Sequence, residues 1–536
     1  MGRGVLKVRH PNVRTAMRVL RGVDTTSVGL RESLVDGIGL RRDGRETVER
    51  RLLDSFDWRV WDAGAVLEYD ITPEAAWLAW RRRATPEEPA RVLGRQASPK
   101  TPLTVADLRA GPVTRLLASV LEVRALLPRA MMRVERERFS LRDNEDKTVA
   151  RATIEHVTVT GPGDMDDKDL GWRVVVTGVR GYDGALRGLV ERLGDAPGLV
   201  AGRDDVDLLV FESAGTQPGD YSSKLRVAIE PHEPTLQAFT TICSTLLDTI
   251  AVNEHGVRED IDPEFLHDFR VAIRRTRSMV SQAADVIPDT ARALYGGTFK
   301  WLAGETSELR DLDVYLLGLD DLATQLPVDH RADLEPLRDL LVDLRRDAHA
   351  RVVAALDSQR YRELLDTWRA FLDAPEGGEA ASSPVRRTAG ERIWGAYRSI
   401  VKHGRGIDDA SPADALHDLR KRAKKLRYLL EAYRSLYPRG DMRSLVAQLV
   451  KLQDNLGTFQ DCDVQIRSLR RFAELLDGRH GTTGPTVLAM GLLSSQLVQH
   501  QQQARAEFHE RFARFDRRRN RQRFRRLFLP IAEPVS

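Results

Sequence analysis

The sequence predicts an α+β domain over residues 1–228, followed by an all-α domain over residues 234–528. Three observations lead there. β-branched, partly alternating segments bounded by Gly and Asp clusters concentrate in the first part. After Pro234 helical periodicity dominates. Within that second part a basic segment occurs twice at constant spacing, the mark of an internal duplication. A chain of 536 residues also exceeds what one hydrophobic core holds.

In the first domain, residues 151–160 and 172–178 read as strands, as do the shorter segments Trp58-Arg-Val-Trp61 and 65–69. Residues 104–127 and 183–193 read as helices. Residues 229–233 join the domains, with Pro231 and Pro234 ending the β texture. The first copy of the helical part predicts helices over 236–253, the segment around His267, 290–302, 310–322 and 331–356. Residues 374–385, rich in Gly, Pro, Ala and Ser, form a flexible break between a first copy (234–373) and a second (386–528). The second copy predicts helices over 387–403, around His417, over 442–456 and 461–476, and a long last helix from Pro485.

The repeated segment is His267-Asp-Phe-Arg270-Val-Ala-Ile-Arg274-Arg275-Thr-Arg277, answered by His417-Asp-Leu-Arg420-Lys421-Arg-Ala-Lys424-Lys425-Leu-Arg427. Proline occurs only ahead of each, and the composition favours helix. At about 100° per residue, His267, Arg270, Arg274 and Arg277 share a stripe about 80° wide, beside an apolar stripe of Leu266, Phe269, Ile273 and Val280. His417, Arg420, Lys424 and Arg427 repeat it beside Leu416, Leu419, Ala423, Leu426 and Leu430. Few acids stand three or four residues away to neutralise these cations, Glu431 being the clearest. A single charged run is ordinarily a solvated helix face. Two matching runs, each opened by histidine, point to an extended polyanion. Forty-four residues after each histidine comes an Asp-x-Asp pair, Asp311/Asp313 and Asp461/Asp463. We read these as helix N-terminal carboxylates that also orient the arginines of the stripe, in preference to a metal pair.

Net charge is only +4, with a pI near 9.0, so anion binding has to come from arrangement. The main exception is the segment 511–526, with nine arginines and one acid, Asp516. The two cysteines, Cys243 and Cys462, offer no disulfide framework or zinc spacing. No apolar signal core opens the sequence, Gly2 lacks the serine or threonine of a myristoylation motif, and no stretch approaches membrane-spanning length. These features give the expectation of a cytoplasmic protein without a membrane partner.

The repeated motif resembles the CHAD domain, the conserved histidine α-helical domain, whose pattern is a His-x-x-Arg-x-x-x-Arg-Arg/Lys-x-Arg helix and a later Arg-Asp-x-Asp-Val, each given twice. Arg310-Asp-Leu-Asp-Val matches in full; Gln460-Asp-Cys-Asp-Val lacks the arginine. The resemblance implies two similar four-helix bundles whose basic helices face a shared positive surface or pore, and a link to inorganic polyphosphate and its granules. It makes His267, Arg270, Arg274, Arg275, Arg277, His417, Arg420, Lys424, Lys425 and Arg427 the phosphate-contacting set, with Asp311, Asp313, Asp461 and Asp463 in support. Shorter pieces of the first domain resemble the CYTH, or triphosphate-tunnel, fold: residues 53–64, the basic Arg133-Val-Glu-Arg-Glu-Arg138, residues 181–193 and Ser223-Lys-Leu. That fold's catalytic Glu-x-Glu-x-Lys strand is missing from residues 1–60, and Glu46-Thr-Val-Glu49 has the wrong spacing, since strand residues i and i+3 face opposite sides. Val174-Val-Val176 replaces the late Glu-x-Glu, and Glu68 stands where a base belongs. The resemblance therefore implies a degenerate tunnel-like barrel, without a metal clamp.

The resulting expectation is a polyphosphate-binding protein, associated with polyphosphate granules, without catalytic residues or cofactor. A divalent cation such as Mg²⁺ would enter only if the tunnel were active. The alternatives are a triphosphatase or phosphohydrolase, suggested by the tunnel resemblance and the His-Asp pairs, and non-specific nucleic-acid binding, suggested by the arginine-rich tail. The stripes carry no aromatic residue for base stacking except Tyr428, which favours a base-free polyanion.

Overall fold

The computed structural model describes residues 17–22, 39–85, 88, 90–160, 166–194, 199–201, 206–477 and 484–529; the expectations about Gly2 and the first residues lie outside these. The chain forms two compact units, Met1–Ser223 and Lys224–Ser536.

The first unit is a nine-stranded antiparallel sheet. Its strands are β1 (Met17–Gly22), β2 (Arg41–Asp54), β3 (Ala65–Ile71), β4 (Ala76–Arg82), β5 (Arg91–Ala97), β6 (Leu127–Arg142), β7 (Thr148–Thr160), β8 (Lys168–Gly178) and β9 (Leu199–Ala201), in the order β5-β4-β3-β2-β6-β7-β8-β1-β9. Helices α1 (Arg59–Asp62), α2 (Pro112–Leu121), α3 (Asp183–Gly194) and α4 (Val206–Ser213) accompany it. Strand alternation separates two faces. Leu67, Tyr69 and Leu78 pack on Leu117 of α2, while Val48, Leu52, Val134 and Val159 on the opposite face are covered by Trp58 and Phe211.

Two expectations for this unit fail locally. Trp58-Arg-Val-Trp61 is a helical turn, not a strand, because the Asp54 carboxylate accepts hydrogen bonds from the amides of Ser55, Val60 and Trp61 at 2.7, 2.9 and 2.9 Å and curls the chain around itself. Residues 104–127 are helical only over α2 and one short 3₁₀ turn: Gly111-Pro112 sets the start of α2, and Leu127 already belongs to β6.

Among the described residues, the regular elements of the second unit are helices. The first copy contains α5 (Thr235–Arg258), α6 (Pro263–Gln282), α7 (Asp289–Glu305), α8 (Ser307–Thr324), α9 (Glu335–Asp357) and α10 (Gln359–Asp373). The second contains α11 (Val385–Arg405), α12 (Ala413–Ala432), α13 (Arg439–Asp477), α14 (Gly484–Phe515) and α15 (Arg518–Phe528). With α7 and α8 taken as one broken rod, each copy is a set of four rods joined by a short fifth helix, α10 or α15. The offset of 150 residues between the copies holds at the first residues of α5/α11, α6/α12 and α7/α13. The copies also meet where they begin: Pro234 and Pro384 form a β-bridge, and the Thr235 hydroxyl donates to Thr388 at 3.0 Å.

Three further expectations change. Residues 439–477 are one helix, so the separation predicted between 456 and 461 does not occur. The segment 374–385 is tied down: the amides of Gly378 and Ala380 donate to the carbonyls of Val286 and Asp285 at 2.9 and 2.6 Å. Finally, α5 is long and apolar enough to cross a membrane, contrary to the reading that no stretch is; here its Phe239 packs edge-on to Trp368 of α10 at 6.3 Å.

Candidate polyanion site

Asp262 caps the N-terminus of α6, accepting from the amides of Glu264 and Phe265, and Pro263 occupies the first turn. Phe265, Leu266, Phe269, Ile273 and Val280 are buried, and so are Leu416, Leu419, Leu426 and Leu430 of α12. Burying these apolar stripes fixes the azimuth of both helices and turns their cationic stripes toward one cleft of about 580 Å³. Arg274 and Arg277 enter it from α6, Lys424 and Lys425 from α12. Among the described residues, none of these four side chains has a hydrogen bond or ion pair, and the Arg274 Nε is buried without a partner.

Like charge is crowded there. Burial first, then Arg420 and Arg274, brings the Lys424 ammonium down to about 8. Burial also lowers Arg277, and Lys425 is lowered by burial and by Arg422 and Arg392. His417 lies below its ordinary value through burial and the charges of Lys421 and Arg420, so near neutral pH the ring is a neutral hydrogen-bonding group.

The other residues expected in the site are engaged elsewhere. Arg270 reaches into the junction between α7 and α8, donating to the Ala303 carbonyl (3.0 Å), the Thr306 hydroxyl (2.6 Å) and the Ser307 hydroxyl (3.3 Å). Burial and Arg274 bring it down to about 10, still protonated near neutrality. Arg275 and Arg427, from different copies, both hold Glu431, at 3.0 and 2.7 Å. Arg420 pairs with Asp461 at 3.1 Å. His267 and His417 are partly buried near the starts of their helices and do not line the cleft.

The Asp-x-Asp pairs are not at helix N-termini: Asp311 and Asp313 lie beyond the first turn of α8, and Asp461 and Asp463 are in the middle of α13. Asp461 orients a stripe arginine as expected. Asp313, buried, pairs instead with Arg345 of α9 at 2.7 Å, and Asp463 with Arg467 at 2.6 Å. Burial raises Asp311 against the pull of Arg270. Lys421 and Arg292 also line the cleft, unforeseen. The counterpart of Lys421 is Val271, so the repeat gave no sign of it, and Arg292 comes from α7.

In the first unit the charges neutralise one another. Register places Glu46, Arg136, Glu155 and Arg173 in one row across β2, β6, β7 and β8. Arg136 binds Glu46 at 2.6 Å, and Arg173 binds Glu155 at 2.6 Å. Alongside, Arg50 grips Asp70 (2.6 and 2.9 Å), and Arg81 grips Glu68 (2.6 Å) and Asp207 (2.6 and 3.1 Å). Burial alone would raise the Glu68 carboxyl, but Arg81 and Arg50 hold it at about 2. With these carboxylates committed to guanidinium groups, the donor set does not fit a divalent cation. No cluster of three His, Cys, Asp or Glu side chains suited to a metal exists among the described residues.

Fold and site thus define a protein with an antiparallel-sheet unit and a duplicated helical unit whose two basic helices share a cleft. Residues 241–470 match the family described as "CHAD domain", and the chain carries a CHAD domain over that segment. Two uncharacterised proteins of Mycobacterium tuberculosis (strains CDC 1551 and H37Rv) are each 27% identical to it over 392 residues, 70% of this chain and 70% of each relative. Among solved structures, the CHAD domain of the plant Ricinus communis is 24% identical, covering 55% of this chain and 96% of its own, with a TM-score of 0.47. A Hippeastrum protein described by a dominant triphosphatase activity is 12% identical, covering 39% of this chain and all (100%) of its own, with a TM-score of 0.28.

Proposed function

We propose that this chain binds inorganic polyphosphate, without catalysis, in the cleft between α6 and α12, and that this binding associates it with polyphosphate granules. The observation that carries the reading is the convergence of Arg274, Arg277, Lys424 and Lys425, one pair from each copy, in a cleft that no acid lines among the described residues. Crowded, half-desolvated cations repel one another, and that cost is relieved when an anion arrives. Cations rising along two helices at about 1.5 Å per residue match a string of phosphates better than a single one. The paired charges of the first unit support a scaffold role there: a triphosphate would have to displace carboxylates already bound to arginine.

The test is binding of long-chain polyphosphate to wild type and to Arg274→Ala/Lys424→Ala, at salt between about 50 and 200 mM. The double substitution should weaken binding by about a hundredfold or more, each of the two lost charge-assisted contacts being worth roughly 1.5–3 kcal/mol. It should also flatten the salt dependence by the equivalent of about two phosphate contacts. Unchanged affinity and slope would remove the cleft as the site.

A further inference from the structure

A second cationic surface lies away from the α6/α12 cleft and belongs to the second copy alone. Helix α15 packs on α11 by stacking Phe524 on Tyr397, with ring centroids 3.9 Å apart and planes 12° apart, and Arg405 is tied to Asp516 at 2.7 Å. The groove left between these helices has a volume of about 1280 Å³. Arg398 and Lys402 line one wall, four residues apart on α11, and Arg518 and Arg525 line the other, two turns apart on α15. All four are exposed, and none has a side-chain hydrogen bond or ion pair among the described residues. Among the described residues, no carboxylate lines the groove. Trp394, partly exposed, lies one turn before Arg398 on the same wall.

The groove is not a by-product of the shared fold. At the 150-residue offset, the positions of Trp394, Arg398 and Lys402 are occupied in α5 by Ser244, Asp248 and Val252. The second copy alone therefore has the cationic wall and the ring beside it.

We propose that the α11/α15 groove binds single-stranded nucleic acid, with its arginines and lysine along the phosphates and Trp394 stacking on a base. The indole separates this ligand from polyphosphate, which has no π-face to stack, whereas aromatic rings set among cations are how single strands are held without sequence choice. An anionic lipid surface is the weaker fit, because the apolar side of α15, Phe524 and Phe528, is buried and cannot enter a bilayer.

The experiment uses the full chain with a fluorescein-labelled oligouridine of roughly 12 nucleotides, and polyphosphate as a separate probe. Four variants are compared: Arg398→Glu/Arg525→Glu, Trp394→Leu, Trp394→Phe and Arg274→Ala/Lys424→Ala. We expect the charge reversal to weaken oligouridine binding at least about tenfold and to flatten its salt dependence. Trp394→Leu should weaken it about fivefold or more with the salt slope unchanged, and Trp394→Phe should restore most of the loss. The cleft variant should leave oligouridine binding intact, so a failure of the polyphosphate reading would show separately. Both charge sites are exposed, so thermal melts should match wild type. The proposal is overturned if oligouridine affinity ignores the charge reversal. It is equally overturned if Trp394→Leu has no effect, for the groove would then be a base-blind anion surface.

Discussion

The two copies of the basic helix share their spacing but not their partners. In the first, Arg270 is locked into the break between α7 and α8, donating to one carbonyl and two hydroxyls. In the second, the counterparts of Thr306 and Ser307 are Leu456 and Gly457, which offer no hydroxyl, so α13 runs unbroken and Arg420 turns to Asp461. The first copy spends its leading arginine on architecture, while the second keeps it near the surface. A duplicated motif thus preserves where the side chains start, and the neighbours decide what they do.

The comparison can be broken most directly by stability measurements. Arg270→Ala takes the guanidinium donor from the Thr306 hydroxyl and one of the donors from the Ala303 carbonyl, which still accepts from the Ser307 hydroxyl at 2.8 Å, and in this part-buried junction should cost about 1–3 kcal/mol. Arg420→Ala removes a pair whose Asp461 side chain is 64% exposed, and should cost less than about 1 kcal/mol. Urea unfolding monitored by circular dichroism gives both. Equal losses would mean that the copies use this arginine alike.

The same neighbours explain what the sequence could and could not disclose. The stripes, the apolar faces beside them and the paired histidines were legible because a helix fixes azimuth by spacing alone. The spacing predicts a break in both copies: the one at residues 303–309 falls on the Thr306 junction, whereas the one at 457–460 lies where helix in fact continues, because the side chain that arrives from another helix at the first junction finds no hydroxyl in the second copy. Short α10 went unread because its apolar residues, Tyr361, Leu364 and Trp368, answer a partner distant in sequence. In the first unit, Trp58-Arg-Val-Trp61 has strand-like composition, yet the carboxylate of Asp54 overrides it. Which of the eight proposed lysines and arginines are unpaired depends on acids such as Glu431, which serves Arg427 four residues away and Arg275 across the copies.

A smaller effect sharpens the comparison through pH. Lys424 is held near 8, whereas its counterpart in the first copy is an arginine, Arg274. Binding a polyanion requires the ammonium, so affinity for polyphosphate should fall as pH rises from about 7 to 9, by up to about tenfold for this one group. Lys425, also lowered, acts in the same direction. Lys424→Arg should remove most of the slope. The linkage to folding has the opposite sense. A lysine lowered in the folded state binds fewer protons there than when unfolded, so stability rises with pH between about 8 and the ordinary 10.5. Affinity that remains flat in wild type from pH 7 to 9 would show that Lys424 does not meet the ligand.

The smallest expected effect comes from the acid that the two stripes share. Glu431 neutralises Arg275 from the first copy and Arg427 from its own helix, so it competes with any phosphate for both. Its counterpart is Ser281, which carries no charge, and the copies therefore differ by one carboxylate at the edge of the cleft. Glu431→Gln keeps the shape and the hydrogen-bonding oxygen but releases two guanidinium groups. Polyphosphate affinity should rise about two- to fivefold at low salt, with a steeper salt dependence, while stability falls by less than about 1 kcal/mol because both pairs keep some solvent access. An increase in affinity would show that Arg275 and Arg427 are held in reserve by an internal counter-ion. A decrease would mean that Glu431 is needed to hold the two basic helices in register, and that the pair acts as a bracket between the copies.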